Sequence, residues 1–127
     1  MSRFFNTLFL MLFALLAGGA LAAESTFEAA KFDALQKEGK PVLVAIHADW
    51  CPTCRAQAPI ISELIATPEF SGITALRVDY DGQKPVVKRF KASMQSTLIV
   101  FKGGKEVGRS VGDTRKEGIA TLLKKAL

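Results

Sequence analysis

Short apolar runs and amphipathic segments alternate along most of this chain of 127 residues. Continuous apolar runs of about four to eight residues are typical of buried strands, whereas apolar residues repeated every three or four positions indicate a helix that is buried on one side. By these patterns the sequence predicts strands at 41–48, 73–78, 97–101 and 106–111, and helices at 29–38, 51–66, 84–90 and 115–126. A short strand before the first helix completes the predicted order.

This order of elements predicts an α/β fold with a mixed sheet. Strands that are joined by a helix pair in parallel, because the crossover brings the chain back to run in the same direction. Gly103 and Gly104 instead predict a hairpin between the last two strands, which adds an antiparallel edge. Pro59 falls inside the second helix and is expected to kink it. We therefore expect one domain with a central sheet of about four to five strands, flanked by helices.

Residues 1–22 have the pattern of a secretory signal peptide. A positive residue near the start is followed by an apolar run at 8–17 and by small residues up to Ala22. We expect cleavage after Ala22, which leaves a domain at 23–127. An uncleaved anchor is the alternative, because residues 4–23 carry no charge and are long enough to span a bilayer. Either reading predicts that the folded part is exported, to the periplasm if the source is a Gram-negative bacterium.

The basic residues of the chain do not indicate a nucleic-acid site. There are 17 Lys and Arg against 12 Asp and Glu, a formal net charge of +5, but the cations are spread along the sequence without interleaved aromatic residues. Nucleic-acid-binding proteins instead cluster their cations on one face or along one helix. We interpret these residues as a solvated basic surface and expect no nucleic-acid partner.

Cys51 and Cys54 are the only cysteines, and they lie between a predicted strand and a predicted helix. The first turn of a helix has unpaired N–H groups and a positive partial charge, so this position favours a thiolate at Cys51 and thiol–disulfide chemistry. A structural disulfide across so short a loop would add little stability. A c-type haem site needs histidine where Arg55 stands, and the two cysteines with His47 give fewer ligands than a structural zinc site requires. We expect no metal and no cofactor within one chain.

From about Lys31 to the C-terminus the sequence resembles the thioredoxin family. The residues that carry the resemblance are the WCPTC segment at 50–54, Pro59, Asp79 at a strand end, the TLIVFKGG segment at 97–104, and Gly112. The resemblance implies a thioredoxin fold and a protein-disulfide oxidoreductase that acts on protein thiols and disulfides. It also implies that Cys51 is a solvent-exposed nucleophile and that the more buried Cys54 resolves the mixed disulfide.

Two positions depart from the family pattern. Ser96 stands where the family has a cis-proline facing the dithiol. We expect a trans Gln95–Ser96 peptide, because a cis bond before a residue other than proline costs about 2.5–4 kcal/mol. Ala45 stands where cytoplasmic members have a buried aspartate that is thought to help deprotonate the second cysteine. Both changes are expected to alter the kinetics without removing the dithiol.

Several neighbours of the dithiol are expected to support it, namely Asp49, Trp50, Pro52, Thr53, Ser96 and Thr97. Trp50 is interpreted as a cover for the dithiol and a partner contact, with a packing role as the alternative. Asp49 is expected to tune the local field or cap the turn. Thr53 is interpreted as a surface turn residue rather than as a hydroxyl donor to sulfur. His47 is interpreted as a partly exposed strand-end histidine rather than as a proton shuttle. Asp79, Tyr80 and Asp81 are interpreted as turn residues, and Phe90, Ile99 and Phe101 as core.

Three functions are compatible with this pattern. Likeness to exported reducing members, such as the C-terminal domain of the transmembrane disulfide reductase, favours a monomeric reductase that takes electrons from a membrane partner. The replacement of the cis-proline by Ser96 suggests a redox-linked binding or assembly module with weak turnover. In the third function, Cys51 and Cys54 of two chains would share a metal or an iron–sulfur cluster, because together they supply four thiolates.

Overall fold

The computed structural model describes residues 24–127, which form five strands and four helices. The elements are β1 (Ser25–Thr26), α1 (Ala29–Lys37), β2 (Val42–His47), α2 (Pro52–Ile65), β3 (Thr74–Asp79), α3 (Lys84–Arg89), β4 (Thr97–Lys102), β5 (Lys105–Val111) and α4 (Lys116–Lys124). The predicted leader at 1–22 lies outside the described residues. Within residues 24–127, no helix is long and apolar enough to cross a membrane.

The sheet has the strand order β1-β3-β2-β4-β5. β1, β3 and β2 run parallel to one another, whereas β4 is antiparallel to both β2 and β5. β2 is central, and its residues Val42–Ile46 are all buried, as expected for a strand that has helices on both faces. The predicted α/β class and mixed sheet are confirmed.

Alternating side chains divide the core into two layers, one on each face of the sheet. Leu43 and Ala45 of β2 pack on one face against α2 and α4, in a cluster that includes Ile61 and Ile119. The opposite face packs against α1 and α3 and contains Phe27, Phe32, Phe90, Ile99 and Phe101. The four phenylalanines pack with ring centroids 5.1–5.7 Å apart. The predicted core positions Phe90, Ile99 and Phe101 are confirmed.

The strand register brings three loops together at one edge of the sheet. His47 at the end of β2 pairs with Asp79 at the end of β3, and Ile46 pairs with Thr97 at the start of β4. The loop before α2, the turn after β3 and the segment before β4 therefore meet at this edge. The helix α2 starts here and continues as one element through Pro59.

Candidate active site

Cys51 is the N-cap residue of α2, with an extended backbone (φ −84°, ψ 114°). Its Sγ accepts a hydrogen bond from the backbone N–H of Cys54 at 3.2 Å. Ser, Thr, Asp or Asn usually fills this capping position, because an oxygen acceptor satisfies an N–H that has no partner within the helix. Pro52 follows as the first helical residue, where its missing N–H costs nothing. Both cysteines are free thiols, so the structure shows the dithiol.

Both thiols lie beneath the surface. Cys51 is 3% exposed and Cys54 is 1% exposed. They form a small cluster with Ala48, and the partly buried ring of Tyr80 packs against it. The expectation from the family resemblance that Cys51 is solvent-exposed is therefore wrong, because the residue is buried in this cluster.

Hydrogen bonds lower the pKa of Cys51 below its ordinary value. Burial acts in the opposite direction and is the largest single influence on this thiol. The thiol and N–H of Cys54, the side chain of Gln95 and the backbone N–H of Thr53 together outweigh it, since each stabilises the thiolate. Thr53 thus contributes its backbone N–H to the site as the second residue of α2, and not as the surface turn residue that was expected.

The pKa of Cys54 moves in the opposite direction, to about 11. Burial is the main cause, and the hydrogen bond and charge of the Cys51 thiolate add to it, whereas backbone groups of Ala48 and Ser96 oppose it. Ala45, where cytoplasmic members have an aspartate, is buried in the layer under α2 and α4. The two thiols therefore differ in acidity, with Cys51 the first to ionise.

Ser96 has a left-handed backbone (φ +59°), and the Gln95–Ser96 peptide is trans because no peptide in residues 24–127 is cis. Its N–H donates to Ile46 O at 2.7 Å, and its hydroxyl donates to Gln95 O at 2.6 Å. Thr97 secures the same segment by donating its hydroxyl to Met94 O at 2.7 Å. The expected trans peptide is confirmed, and hydrogen bonds hold this segment against the central strand.

Gln57 is a buried polar residue that the sequence reasoning missed. Its side chain is 3% exposed and donates to Ser96 O at 3.2 Å and to Asp113 O at 3.0 Å. The amide therefore ties α2 to the segment before β4 and to the turn before α4. A signal for this role existed, because Gln57 lies three residues after Cys54 and thus on the buried side of the helix.

Trp50 lies at the surface beside the dithiol. It is 60% exposed, and its Nε1 donates to Asp81 Oδ2 at 2.6 Å. The alternative interpretation of Trp50 as a packing residue is wrong. Asp81 and Tyr80, interpreted as simple turn residues, have further roles, since Asp81 accepts the hydrogen bond of the indole and Tyr80 packs against the cluster that contains the thiols. Asp79 does form the turn, because its carboxylate accepts from the N–H of Asp81 at 3.1 Å.

His47 and Asp49 form a pair of their own at the end of β2. His47 Nε2 and Asp49 Oδ1 are 2.9 Å apart, and the Asp49 side chain is 98% exposed. The histidine is therefore the partly exposed strand-end residue that was expected, and its imidazole is occupied by the neighbouring carboxylate. Within residues 24–127, no group of three or more His, Cys, Asp or Glu side chains could hold a metal ion.

Comparison with known proteins gives consistent matches over this domain. The family model described as Thioredoxin matches residues 23–125. A thioredoxin of Chlamydia trachomatis is 38% identical over 84 residues, which cover 66% of this chain and 80% of that protein. A thioredoxin of Mycobacterium tuberculosis is 39% identical over 85 residues, which cover 67% of this chain and 70% of that protein. The crystal structure of Trxlp from Edwardsiella tarda has a TM-score of 0.77 and 37% identity, and covers 80% of this chain and 98% of that one. The predicted thioredoxin fold is confirmed.

Proposed function

This chain belongs to the thioredoxin family and is a protein-disulfide oxidoreductase, and we propose that it is exported and works as a reductase. The observation that carries the mechanism is the difference in acidity between its two thiols. The pKa of Cys51 is lowered, whereas that of Cys54 is raised to about 11. Because the thiolate is the nucleophile in disulfide exchange, Cys51 attacks first and Cys54 stays protonated until it is needed.

The reaction transfers two electrons from the dithiol to the substrate. The Cys51 thiolate attacks one sulfur of a protein disulfide, so that the substrate S–S bond breaks, a mixed disulfide forms, and the other substrate sulfur leaves as a thiolate that takes up a proton. Cys54 then loses its proton and attacks Cys51 Sγ. This step releases the second substrate thiol and leaves a Cys51–Cys54 disulfide.

Formation of the mixed disulfide itself prepares Cys54 for the second step. The charge of the Cys51 thiolate and its hydrogen bond with Cys54 both raise the pKa of Cys54. Neither acts once Cys51 is bonded to substrate sulfur, so only burial remains to oppose ionisation. This order of events supplies part of what a neighbouring carboxylate would otherwise do, since Ala45 offers none.

Trapping of the mixed disulfide tests the assignment of the two cysteines. We expect Cys54→Ser to accumulate a covalent adduct with oxidised insulin or another protein disulfide, because Cys51 can attack but nothing resolves the product. Cys51→Ser is the matched control and should form none. Mass spectrometry after acid quenching detects the adduct. Equal trapping by the two variants would contradict the assignment.

The reducing direction rests on the likeness to exported reducing members and to thioredoxins. The relatives at 38–39% identity are all named thioredoxin, and a thioredoxin couple lies at about −270 mV, against about −120 mV for a strong oxidant. We expect a midpoint near the thioredoxin value when the protein is equilibrated with glutathione or dithiothreitol buffers. A midpoint near the oxidant value would refute the reductase. In an oxidising compartment, the oxidised form would need a membrane electron-transfer partner to return to the dithiol.

Export is supported by the sequence of the leader. A positive start, an apolar run and small residues up to Ala22 are the three features of a signal peptide. The intact mass of the protein recovered from a periplasmic extract is the test. A mass that lacks residues 1–22 supports cleavage, a full-length protein in the membrane fraction supports an anchor, and full-length protein in the cytosol contradicts export.

A binding or assembly module is the second candidate, and the Ser96 segment is the observation that favours it. A left-handed serine replaces the proline that shapes the family's substrate-facing surface. Insulin reduction by the wild-type protein discriminates the two candidates. Turnover comparable to that of a thioredoxin measured in parallel excludes the module, whereas stoichiometric reaction without turnover supports it.

A further inference from the structure

An open groove lies along α3 and shares Tyr80 with the surroundings of the dithiol. Its volume is about 540 Å³, and it is lined by Tyr80, Lys84, Val87, Lys88, Lys91 and Ala92. Val87 is buried and forms the apolar floor together with the partly buried Tyr80 and Ala92, whereas the three lysines are exposed along the rim. We call this surface the α3 groove. Its apolar floor and cationic rim match a ligand that is both apolar and acidic.

The positive charge of the groove is not neutralised by the protein. Lys84 and Lys88 are one helical turn apart on α3, and Lys91 follows the end of the helix, so that all three line the same groove. The ion pairs found within residues 24–127 include none of them, although Arg89 on the same helix pairs with Asp33 at 2.6 Å. The Nζ of Lys84 lies 6.0 Å from the Tyr80 ring centroid. Three like charges that lie together in this way favour an anionic partner.

Two carboxylates lie near the groove, and each is already engaged. Glu106 is within electrostatic range of Lys91, but it is held by Arg109 at 2.6 Å. Asp81, next to Tyr80 in the chain, accepts the indole N–H of Trp50 at 2.6 Å. Neither carboxylate is available as a counter-ion for the rim.

Lys91 has a left-handed backbone (φ +52°) at the end of α3. Its N–H donates to Lys88 O, and the N–H of Ala92 donates to Val87 O, which is the Schellman arrangement that usually places glycine at this position. Arg109 of β5 holds this corner by donating to Phe90 O at 2.9 Å. A lysine therefore occupies a position at which glycine would cause less strain.

Tyr80 connects the groove to the reacting sulfur atoms. Its side chain lines the α3 groove and also packs against the cluster formed by Ala48, Cys51 and Cys54. A chain whose disulfide reacts at Cys51 would therefore pass Tyr80 before it entered the groove. An extended chain advances about 3.3 Å per residue, so a segment of a few residues is long enough to reach from Cys51 past Tyr80 into the groove.

We propose that the α3 groove binds an acidic segment of the protein substrate, close in sequence to the disulfide that Cys51 attacks. The proposal rests on the disulfide exchange given above as the proposed function. Acidic side chains pair with Lys84, Lys88 and Lys91, while an apolar residue between them covers Val87. The groove thus selects among protein disulfides by the sequence that flanks them.

Two cystine-containing peptides of equal length test the proposal. One carries an Asp-Leu-Glu-Asp segment about four residues from its cysteine, and the other carries Asn-Leu-Gln-Asn. We expect the wild-type protein to reduce the acidic peptide with a kcat/KM about tenfold higher, through a lower KM, and to lose this preference in 1 M salt, where the Debye length is only about 3 Å. Equal kcat/KM for the two peptides would overturn the proposal that the α3 groove binds acidic segments, and would leave the proposed exchange reaction intact.

Charge-matched variants separate the groove from the net charge of the protein. Replacing Lys84, Lys88 and Lys91 with glutamine should abolish the preference for the acidic peptide. The control replaces the exposed Lys102, Lys105 and Lys124, which lie at the β4–β5 hairpin and at the end of α4, and should retain it. Loss of the preference in both triple variants would show a general charge effect and overturn the proposal.

Lys91→Gly distinguishes binding from folding. Glycine relieves the left-handed strain, so we expect a higher urea midpoint together with a weaker preference for the acidic peptide. A higher midpoint with an unchanged preference would overturn the role of Lys91.

Binding without turnover keeps this test independent of the proposed function. In a variant with both Cys51 and Cys54 replaced by serine, a labelled acidic peptide without cysteine should bind more tightly than its amide counterpart, as measured by fluorescence anisotropy. If the wild-type protein reduces neither cystine peptide, the proposed exchange reaction is refuted. The anisotropy measurement still shows whether the α3 groove binds an acidic segment. Tighter binding through the same lysines to phosphatidylglycerol vesicles or to an oligothymidine would refute a peptide ligand.

Discussion

Replacing Ser96 with proline restores the residue type that the family has at this position, and the structure predicts a loss of stability. Proline has no N–H, so the donor to Ile46 O at 2.7 Å disappears. Its ring also fixes φ near −65°, whereas Ser96 has φ +59°. The substitution therefore removes a buried hydrogen bond and forces the backbone out of its present conformation.

The magnitude follows from these two effects. An unsatisfied buried carbonyl costs about 1–3 kcal/mol, and a proline that removes a hydrogen bond and clashes costs about 3 kcal/mol or more. We therefore expect the free energy of unfolding to fall by about 3 kcal/mol. A change of 1 kcal/mol shifts Tm by about 4–8 °C in a domain of roughly this size, so Tm should fall by more than about 10 °C.

Ser96→Gly and Ser96→Ala are the matched controls. Glycine removes the hydroxyl donor to Gln95 O, worth about 0.5–1.5 kcal/mol, but it also relieves a left-handed conformation that costs other residues about 1–2 kcal/mol. The glycine variant should therefore lie within about 1 kcal/mol of the wild type. Alanine loses the hydroxyl and keeps the strain, so it should be about 1 kcal/mol less stable than the wild type.

Urea unfolding monitored by the fluorescence of Trp50, the only tryptophan, gives the four stabilities, and insulin reduction is measured on the same samples. We expect the order glycine and wild type, then alanine, then proline. A proline variant as stable as the wild type would show that neither the hydrogen bond to Ile46 O nor the left-handed backbone of Ser96 holds this segment. Faster insulin reduction by such a variant would also favour the binding module over the reductase.

Three further substitutions test other contacts of the site. Gln95→Ala should raise the pKa of Cys51, because it removes a hydrogen bond that stabilises the thiolate. The midpoint of iodoacetamide alkylation against pH should then move upward, and an unchanged midpoint would contradict the contact between Gln95 and Cys51. Gln57→Leu should lower the free energy of unfolding by about 1–3 kcal/mol in urea, since two carbonyls lose a buried donor, and a neutral result would refute its bridging role. Asp81→Ala should increase the mobility of the Trp50 indole in time-resolved anisotropy, whereas Asp81→Asn, which keeps an oxygen acceptor, should not. Identical decays in both variants would show that the hydrogen bond from Trp50 to Asp81 does not restrain the indole.

Alkylation also tests the difference between the two thiols. The pKa of Cys51 is lowered and that of Cys54 is about 11, so at pH 7 the reduced protein should take up one label per chain, at Cys51. Reactivity of Cys51 should fall as the pH drops through its lowered pKa, because the thiolate is then protonated. Peptide mapping identifies the labelled residue. Rapid double labelling at neutral pH would contradict the raised pKa of Cys54.

The elements, the mixed sheet and the position of the dithiol were predictable from the amino-acid sequence. Apolar runs and helical repeats depend on residues close together in the chain, so they predict strands and helices without knowledge of the fold. The placement of Cys51 at the start of α2 follows in the same way, because a helix end is a local feature and Pro52 marks it. The identity of the reacting atoms was therefore predictable from a few adjacent residues.

The surroundings of those atoms depend on contacts between residues that are far apart in the chain. Trp50 meets Asp81 across 31 positions of the chain, and Gln57 meets Ser96 across 39. Such contacts depend on the register of β2 with β3 and β4, which local periodicity does not specify. For the same reason the family resemblance implied an exposed Cys51, whereas the fold buries it in a cluster with Ala48 and Cys54, against which Tyr80 packs. The chemistry of the dithiol is thus determined locally, and its acidity and accessibility are set by residues that only the folded sheet brings to it.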